Sequence, residues 1–157
     1  MFHLVLFEPE IPPNTGNSIR LAANCGATLH LVKPLGFLMD NKHLQRSGLD
    51  YHDLAAVKVH ENLEACIGEL AGARWFAVET TGSKCYSKVE YHSGDVFLFG
   101  PETRGLSEPL MSSVAGVQSL YIPMRPKVRS LNLSNTVAIM AYEVWRQLSF
   151  VGQAPRG

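Results

Sequence analysis

The chain has no surplus of charge of either sign. Fourteen Lys and Arg stand against fourteen Asp and Glu over 157 residues, for a formal net charge of zero. A protein that binds nucleic acid regardless of sequence is driven by phosphate neutralisation and usually carries a basic excess. Overall composition therefore argues against such a partner, although an uneven local distribution can still create a positive surface. Cysteine is scarce as well: Cys25, Cys66 and Cys85 are odd in number and include no CxxC pair. That signals neither a disulfide framework nor a zinc site. No apolar run approaches the roughly 18 residues of a membrane span. The stretch MFHLVLFEPEIPP has no basic n-region and reaches an acid at Glu8, so it does not read as a secretory leader. The expectation is a cytoplasmic protein with reduced thiols and no membrane partner.

The common enzyme signatures are missing too. There is no GxGxxG after the first apolar run, no GxxxxGK[ST], no GxSxG and no HExxH. The six histidines (His3, His30, His43, His52, His60 and His92) show no metal-ligand spacing. A nicotinamide enzyme, P-loop ATPase, serine hydrolase or zinc enzyme is thus disfavoured, and no metal is expected.

What is present is a well-mixed globular composition, 46% hydrophobic and 18% charged. That is incompatible with disorder, which requires low hydrophobicity and high net charge. The length suits one domain over residues 1–157 with one sizeable core. Apolar runs at Phe2–Phe7, Thr28–Val32, Ala55–Val59, Arg74–Val78, Asp95–Phe99 and Gln118–Ile122 read as strands. Helical patterns fall between them: Thr15–Cys25, with Asn14 as N-cap and Gly26 closing it, then Asp40–Arg46, Glu61–Leu70 and a short one near Ser107–Met111. The adjacent Pro12 and Pro13 read as a stop to strand and helix alike. Alternating strands and helices predict an α/β fold, a mainly parallel sheet covered on both faces.

A last helix, Ser134–Leu148, carries two apolar stripes. Val137, Met140, Ala141, Val144 and Leu148 form one, and Ala138, Tyr142 and Trp145 the other. A surface helix normally has one stripe. Either the second stripe meets a partner chain, or the helix is covered deeply by its own domain.

Three segments concentrate chemistry. In PPNTGNSIR, Asn17, Arg20 and Asn24 share a helix face, while Ile19, Ala22 and Ala23 point to the core. Asn14 and Gly16 leave helix N–H groups open to an anion; the alternative is a capped helix with a solvated Arg. In FGPETRGL, a buried strand ends in a Gly-Pro turn followed by Glu102, Arg104 and Gly105. This is a site candidate at a strand's carboxyl end, or a turn with a surface ion pair. In IPMRPKVRSLNLSN, Arg125, Lys127 and Arg129 form a basic cluster with no acid from Tyr121 to Tyr142. Ser130, Asn132, Ser134 and Asn135 supply donors and acceptors there, alternating with Leu131 and Leu133, which favours a functional loop.

Taken together, NTGNSIRLAANCG, FGPETRGL and IPMRPKVRSLNLSNTVAIMAYE resemble, in order and spacing, the three motifs of the SPOUT superfamily of RNA methyltransferases. The whole chain to Gln147, including GLDYHD at Gly48–Asp53, looks like its short tRNA 2′-O-methyltransferases, which act on the wobble ribose of certain leucine tRNAs. The resemblance implies a C-terminal trefoil knot, a homodimer, tRNA as partner and S-adenosylmethionine as cofactor, with no metal. Val78, Gly100, Ile122, Ser130 and Leu131 match its cofactor-binding positions, and Gly100 is expected to let the ligand approach the backbone. Arg20 matches the family's catalytic arginine. Asn17, Arg129 and Tyr142 match RNA-binding and dimer-assembly positions, and Glu102 is expected to fix loop geometry. Two departures stand out: Ser18 replaces an apolar residue, and ETTGSK at Glu79–Lys84 puts an acid beside the cofactor crevice. Two other readings remain open: ribose methylation elsewhere on tRNA or rRNA, and a non-catalytic knotted RNA-binding factor.

Overall fold

A computed structural model describes residues 1–39, 46, 48–49, 51–54 and 56–156. The expected Asp40–Arg46 helix lies almost entirely outside them. Among the described residues seven strands form one sheet: β1 (His3–Phe7), β2 (Thr28–Val32), β3 (Val57–His60), β4 (Trp75–Val78), β5 (Lys84–Cys85), β6 (Val96–Phe99) and β7 (Gln118–Tyr121). Their order is β3-β2-β1-β6-β4-β7-β5, and every pairing is parallel. The helices are α1 (Pro12–Cys25), α2 (Tyr51–Leu54), α3 (Leu63–Glu69), α4 (Glu108–Ser112) and α5 (Leu133–Gln147).

Period-two alternation sorts the strand side chains onto two faces. Leu4, Leu6, Leu29, Leu31, Phe76 and Phe97 pack under α1 and α5, against Ile19, Ala22, Val137, Met140 and Val144. On the opposite face Val5, Val32, Trp75, Ala77 and Leu98 meet Leu63 and Cys66 of α3 and Val114. The central strands β4 and β6 are buried throughout. Unbroken apolar runs such as FLF suit a parallel sheet covered on both sides. Full burial of a Phe or Leu is worth about 1.5–3 kcal/mol, so these two layers carry most of the stability.

Some boundaries differ from the sequence reading for physical reasons. The prolines do not stop α1 but begin it, occupying its first turn, where a missing N–H costs nothing. Ile11 is the N-cap, without a side-chain cap bond, and Asn14 sits buried inside the helix. Gly26 ends α1 at φ +71° as expected. Ala23 is exposed rather than core-facing. The third strand lies later than expected, and β5, two residues at the sheet edge, is too short to leave a pattern.

The α3 face also holds a chain of imidazoles. His3 Nδ1 lies 3.0 Å from His30 Nε2, and His30 Nδ1 lies 2.9 Å from His60 Nε2. Burial holds His30 neutral, its pKa pushed down to about 4, with His3 and His60 adding repulsion. His60 Nδ1 in turn lies 3.8 Å from a Glu69 oxygen.

Candidate functional site

Register aligns the carboxyl ends of four strands. Leu6 pairs with Phe99, Phe99 with Val78, and Val78 with Leu120, so β1, β6, β4 and β7 finish at one level. The residues that follow line a cleft of about 410 Å³, a volume suited to a small molecule. It brings together Val78, Gly100, Ile122, Ser130, Leu131 and Arg129 from three separate stretches of the chain. Arg20, Asn17 and Tyr142 are not part of that lining.

Gly100, in the cleft lining, has no room for a side chain. A Cβ there would stand 2.5 Å from the Gly105 carbonyl carbon and 2.7 Å from the Leu106 nitrogen. The chain's own turn is what needs the space. Gly105, at φ +63°, closes that turn in a backbone region that glycine tolerates best.

Glu102 joins the segments. Its carboxylate accepts the backbone N–H of Glu10 (2.8 Å) and of Ile11 (3.0 Å), and the Asn14 side-chain amide (3.3 Å). The start of α1 therefore already has its anion, an internal one, and the open anion site expected there is filled. Asn14 in turn accepts from the Asn132 amide at 2.9 Å. Asn132 Oδ1 caps α5 through Ser134 N–H (2.9 Å) and Asn135 N–H (3.3 Å). One polar relay, Glu102–Asn14–Asn132, thus ties all three chemistry-bearing segments together. Glu10 reciprocates by accepting the Thr103 hydroxyl at 2.8 Å, and Arg104 pairs with Glu8. The FGPETRGL loop is consequently both a cleft wall and a turn with an ion pair. Ser18, buried, donates to the Asn14 carbonyl at 2.8 Å, which explains a hydroxyl inside α1.

The second acid in the lining differs. Glu79 accepts the Leu106 N–H at 2.6 Å through one oxygen, and burial pushes its pKa up. Neither Glu79 nor Arg129 has an ion-pair partner among the described residues. Arg125, Lys127 and Arg129 stand exposed on the 125–131 loop, with Lys127 at φ +61°. Met124 and Leu131 present apolar surface beside them, 38% and 40% exposed.

Arg20 projects from the open face of α1, with Asn17 and Asn24 also exposed on that helix. Its guanidinium donates to the Gly48 carbonyl at 2.5 Å. Tyr142 is 47% exposed on α5, edge-on to Trp145, whereas the Val137–Val144 stripe is buried. The second apolar stripe is thus only partly covered by the chain itself. Elsewhere, ligand atoms of His30, His60 and Cys66 lie within 4.8 Å of one another. Both nitrogens of His30 are already engaged with His3 and His60, and burial pushes the Cys66 thiol up to about 12. Cys66 itself is packed in the apolar core of the α3 face.

This architecture matches a known class. Residues 1–142 match the SpoU rRNA Methylase family, and the chain belongs to that family. It is 56% identical over 152 residues to the tRNA (cytidine(34)-2'-O)-methyltransferase of Methylovorus glucosotrophus, covering 97% of this chain and 99% of that protein. A solved structure described as giving insights into the 2-OH methylation of C/U34 on tRNA superposes with a TM-score of 0.86 at 45% identity, covering 95% of this chain and 97% of the other. An AdoMet-bound rRNA methyltransferase from Sinorhizobium meliloti superposes with a TM-score of 0.80 at 28% identity, covering 94% of this chain and 56% of the longer one.

Proposed function

We propose that the protein transfers a methyl group from S-adenosylmethionine to the ribose 2′-oxygen of the wobble nucleotide, position 34, of tRNA, with certain leucine tRNAs as the substrates. The observation that carries this reading is the convergence of the three motif segments on one cleft at the strands' carboxyl ends, joined through Glu102, Asn14 and Asn132. The position on tRNA comes from the names borne by relatives at about half identity.

The cleft fits the cofactor. Its volume is that of a small-molecule site, Leu131 and Met124 offer apolar surface to a purine, and an unpaired carboxylate awaits a positive ligand. Val78, Gly100, Ile122, Ser130 and Leu131 are the residues assigned to hold it. When bound, the cofactor supplies a methyl already activated by its positive sulfur. Positioning of the ribose is then the main contribution asked of the protein, worth about 7–11 kcal/mol when geometry is optimal. Arg20 is assigned to orient the ribose and neighbouring phosphate and to stabilise developing charge, because a guanidinium keeps its proton. Arg125, Lys127 and Arg129 form a local phosphate-binding patch on a chain without net charge.

A homodimer belongs to the same reading. Tyr142 and Trp145 would be covered by a second copy, which would place the exposed faces of α1 and α5 beside another chain's site. The trefoil knot, formed where α5 passes through a loop of the chain, and the cytoplasmic location are part of it too. No helix among the described residues is long and apolar enough to cross a membrane.

Two measurements test the proposal. Calorimetric titration with S-adenosylmethionine is expected to show one site per chain, and absence of binding would point to a non-catalytic factor. Methyl transfer to unmodified tRNAs, with the product mapped by mass spectrometry, is expected to place the methyl on nucleotide 34. A methyl at another ribose would replace the substrate assignment.

A further inference from the structure

We infer that Glu79 is a specificity residue for the cofactor, its uncompensated carboxylate favouring the cationic S-adenosylmethionine over the neutral-sulfur product S-adenosylhomocysteine. The inference rests on the cofactor reading proposed above.

Glu79 is held firmly in the cleft wall. It follows β4 directly, its N–H donates to the Leu120 carbonyl at 2.9 Å, and its own carbonyl accepts from Gly82 at 3.2 Å. One carboxylate oxygen accepts the Leu106 N–H, while the other has no hydrogen-bond partner among the described residues. Glu102, the other acid in the lining, differs in having three N–H donors on its two oxygens. No Lys or Arg lies within ion-pair distance of Glu79 among the described residues, although Arg129 shares the cleft. Its other side faces a second hollow of about 330 Å³, whose lining adds Glu108 and no cation.

A half-buried carboxylate lacking a counter-ion is less stable charged than it would be in water, and burial does raise its pKa. A positive ligand in the cleft relieves that cost. Methyl transfer removes one positive charge, at sulfur, and leaves adenine, ribose, ammonium and carboxylate unchanged. Within a cleft where solvent screening is reduced, Glu79 therefore distinguishes substrate from product by net charge, whichever ligand atoms it touches. The consequence is exchange: the cofactor is retained before transfer, and its product is held less tightly afterwards.

The test is calorimetric titration of both compounds into the full chain. Glu79→Gln keeps an oxygen for the Leu106 N–H and removes the charge. The preference for S-adenosylmethionine over S-adenosylhomocysteine is expected to fall about three- to tenfold. Glu79→Asp is expected to retain most of it. Glu79→Thr, which deletes charge and Leu106 acceptor together, is expected to reproduce the fall and serves if the Gln variant does not fold. Equal weakening of both ligands, or no change in either, would overturn the inference and leave the cofactor reading standing. A wild-type chain that binds neither compound would overturn both.

Discussion

The two ends of the sheet treat charge in opposite ways. At the amino ends of β4 and β6, Arg74 grips the buried Asp95 through two bonds of 2.8 and 2.6 Å. Asp95 also accepts the His92 N–H at 2.7 Å, and the terminal ammonium donates to Ser93 at 2.7 Å. At the carboxyl ends, Glu79 and Arg129 share a cleft without pairing, and Arg125 and Lys127 face solvent. Glu102 is saturated there by the segments that build the cleft, and Arg104 pairs with Glu8. Charges at one end complete the fold, whereas at the other Glu79 and Arg129 stay without an ion-pair partner among the described residues. A polar group without a partner, at a place where every other need is met, is a sharper pointer to function than a polar group as such.

Substitutions at the two ends should separate accordingly. The largest stability loss is expected from Asp95→Ala, which strands Arg74 and the His92 N–H. Breaking such a pair with one buried member costs about 3 kcal/mol, a fall of roughly 6–12 °C in Tm for a chain this size. Transfer rate per folded molecule should be unchanged. Glu102→Ala is expected to cost about 2 kcal/mol by orphaning donors at the start of α1. Unlike Asp95→Ala, it should also weaken cofactor affinity, because Asn14 and Asn132 lose their anchor. Retained affinity would mean that the relay serves the fold alone.

The imidazole chain gives a third contrast, this time in pH. A His whose folded pKa is depressed contributes stability that is present above its unfolded value near 6.5 and lost as pH falls toward the folded one. With His30 near 4, about 2 kcal/mol should disappear between pH 7 and pH 5, and His3, also lowered by burial, acts in the same direction. Urea unfolding at the two pH values should show this loss in the wild type and a smaller one in His30→Leu. The smallest expected effect is that of Arg129→Ala. It should leave Tm within about 1 °C, typical of a surface change, while reducing the salt slope of tRNA binding by about one counter-ion.

Much of the fold is legible because apolar runs and helical patterns alternate cleanly from Phe2 to Leu148. The site is legible differently, through the local density of polar residues in three segments. What joins them is not, since Asn14 and Asn132 meet across 118 residues and no periodicity encodes that contact. Asn14 reads as a cap because Asn favours that position, whereas Glu102, 88 residues away, takes over the work at the helix start. The histidines look isolated along the chain for the same reason: His3, His30 and His60 sit on neighbouring strands, and only register brings them together. Glu79 is conspicuous in the sequence as an unexpected acid, yet its missing counter-ion emerges only from the packing around it.

The central claim is a division of labour in which the cleft holds the cofactor and α1 acts on the ribose. Arg20→Ala tests it most directly, with Tm, S-adenosylmethionine affinity and single-turnover methyl transfer measured on one preparation. The account predicts a folded protein with near-normal affinity and a transfer rate reduced by about 10²–10³, the usual loss for one pre-organised charged donor. Near-normal transfer in a well-folded variant would contradict it, as would a loss of activity that merely follows the folded fraction.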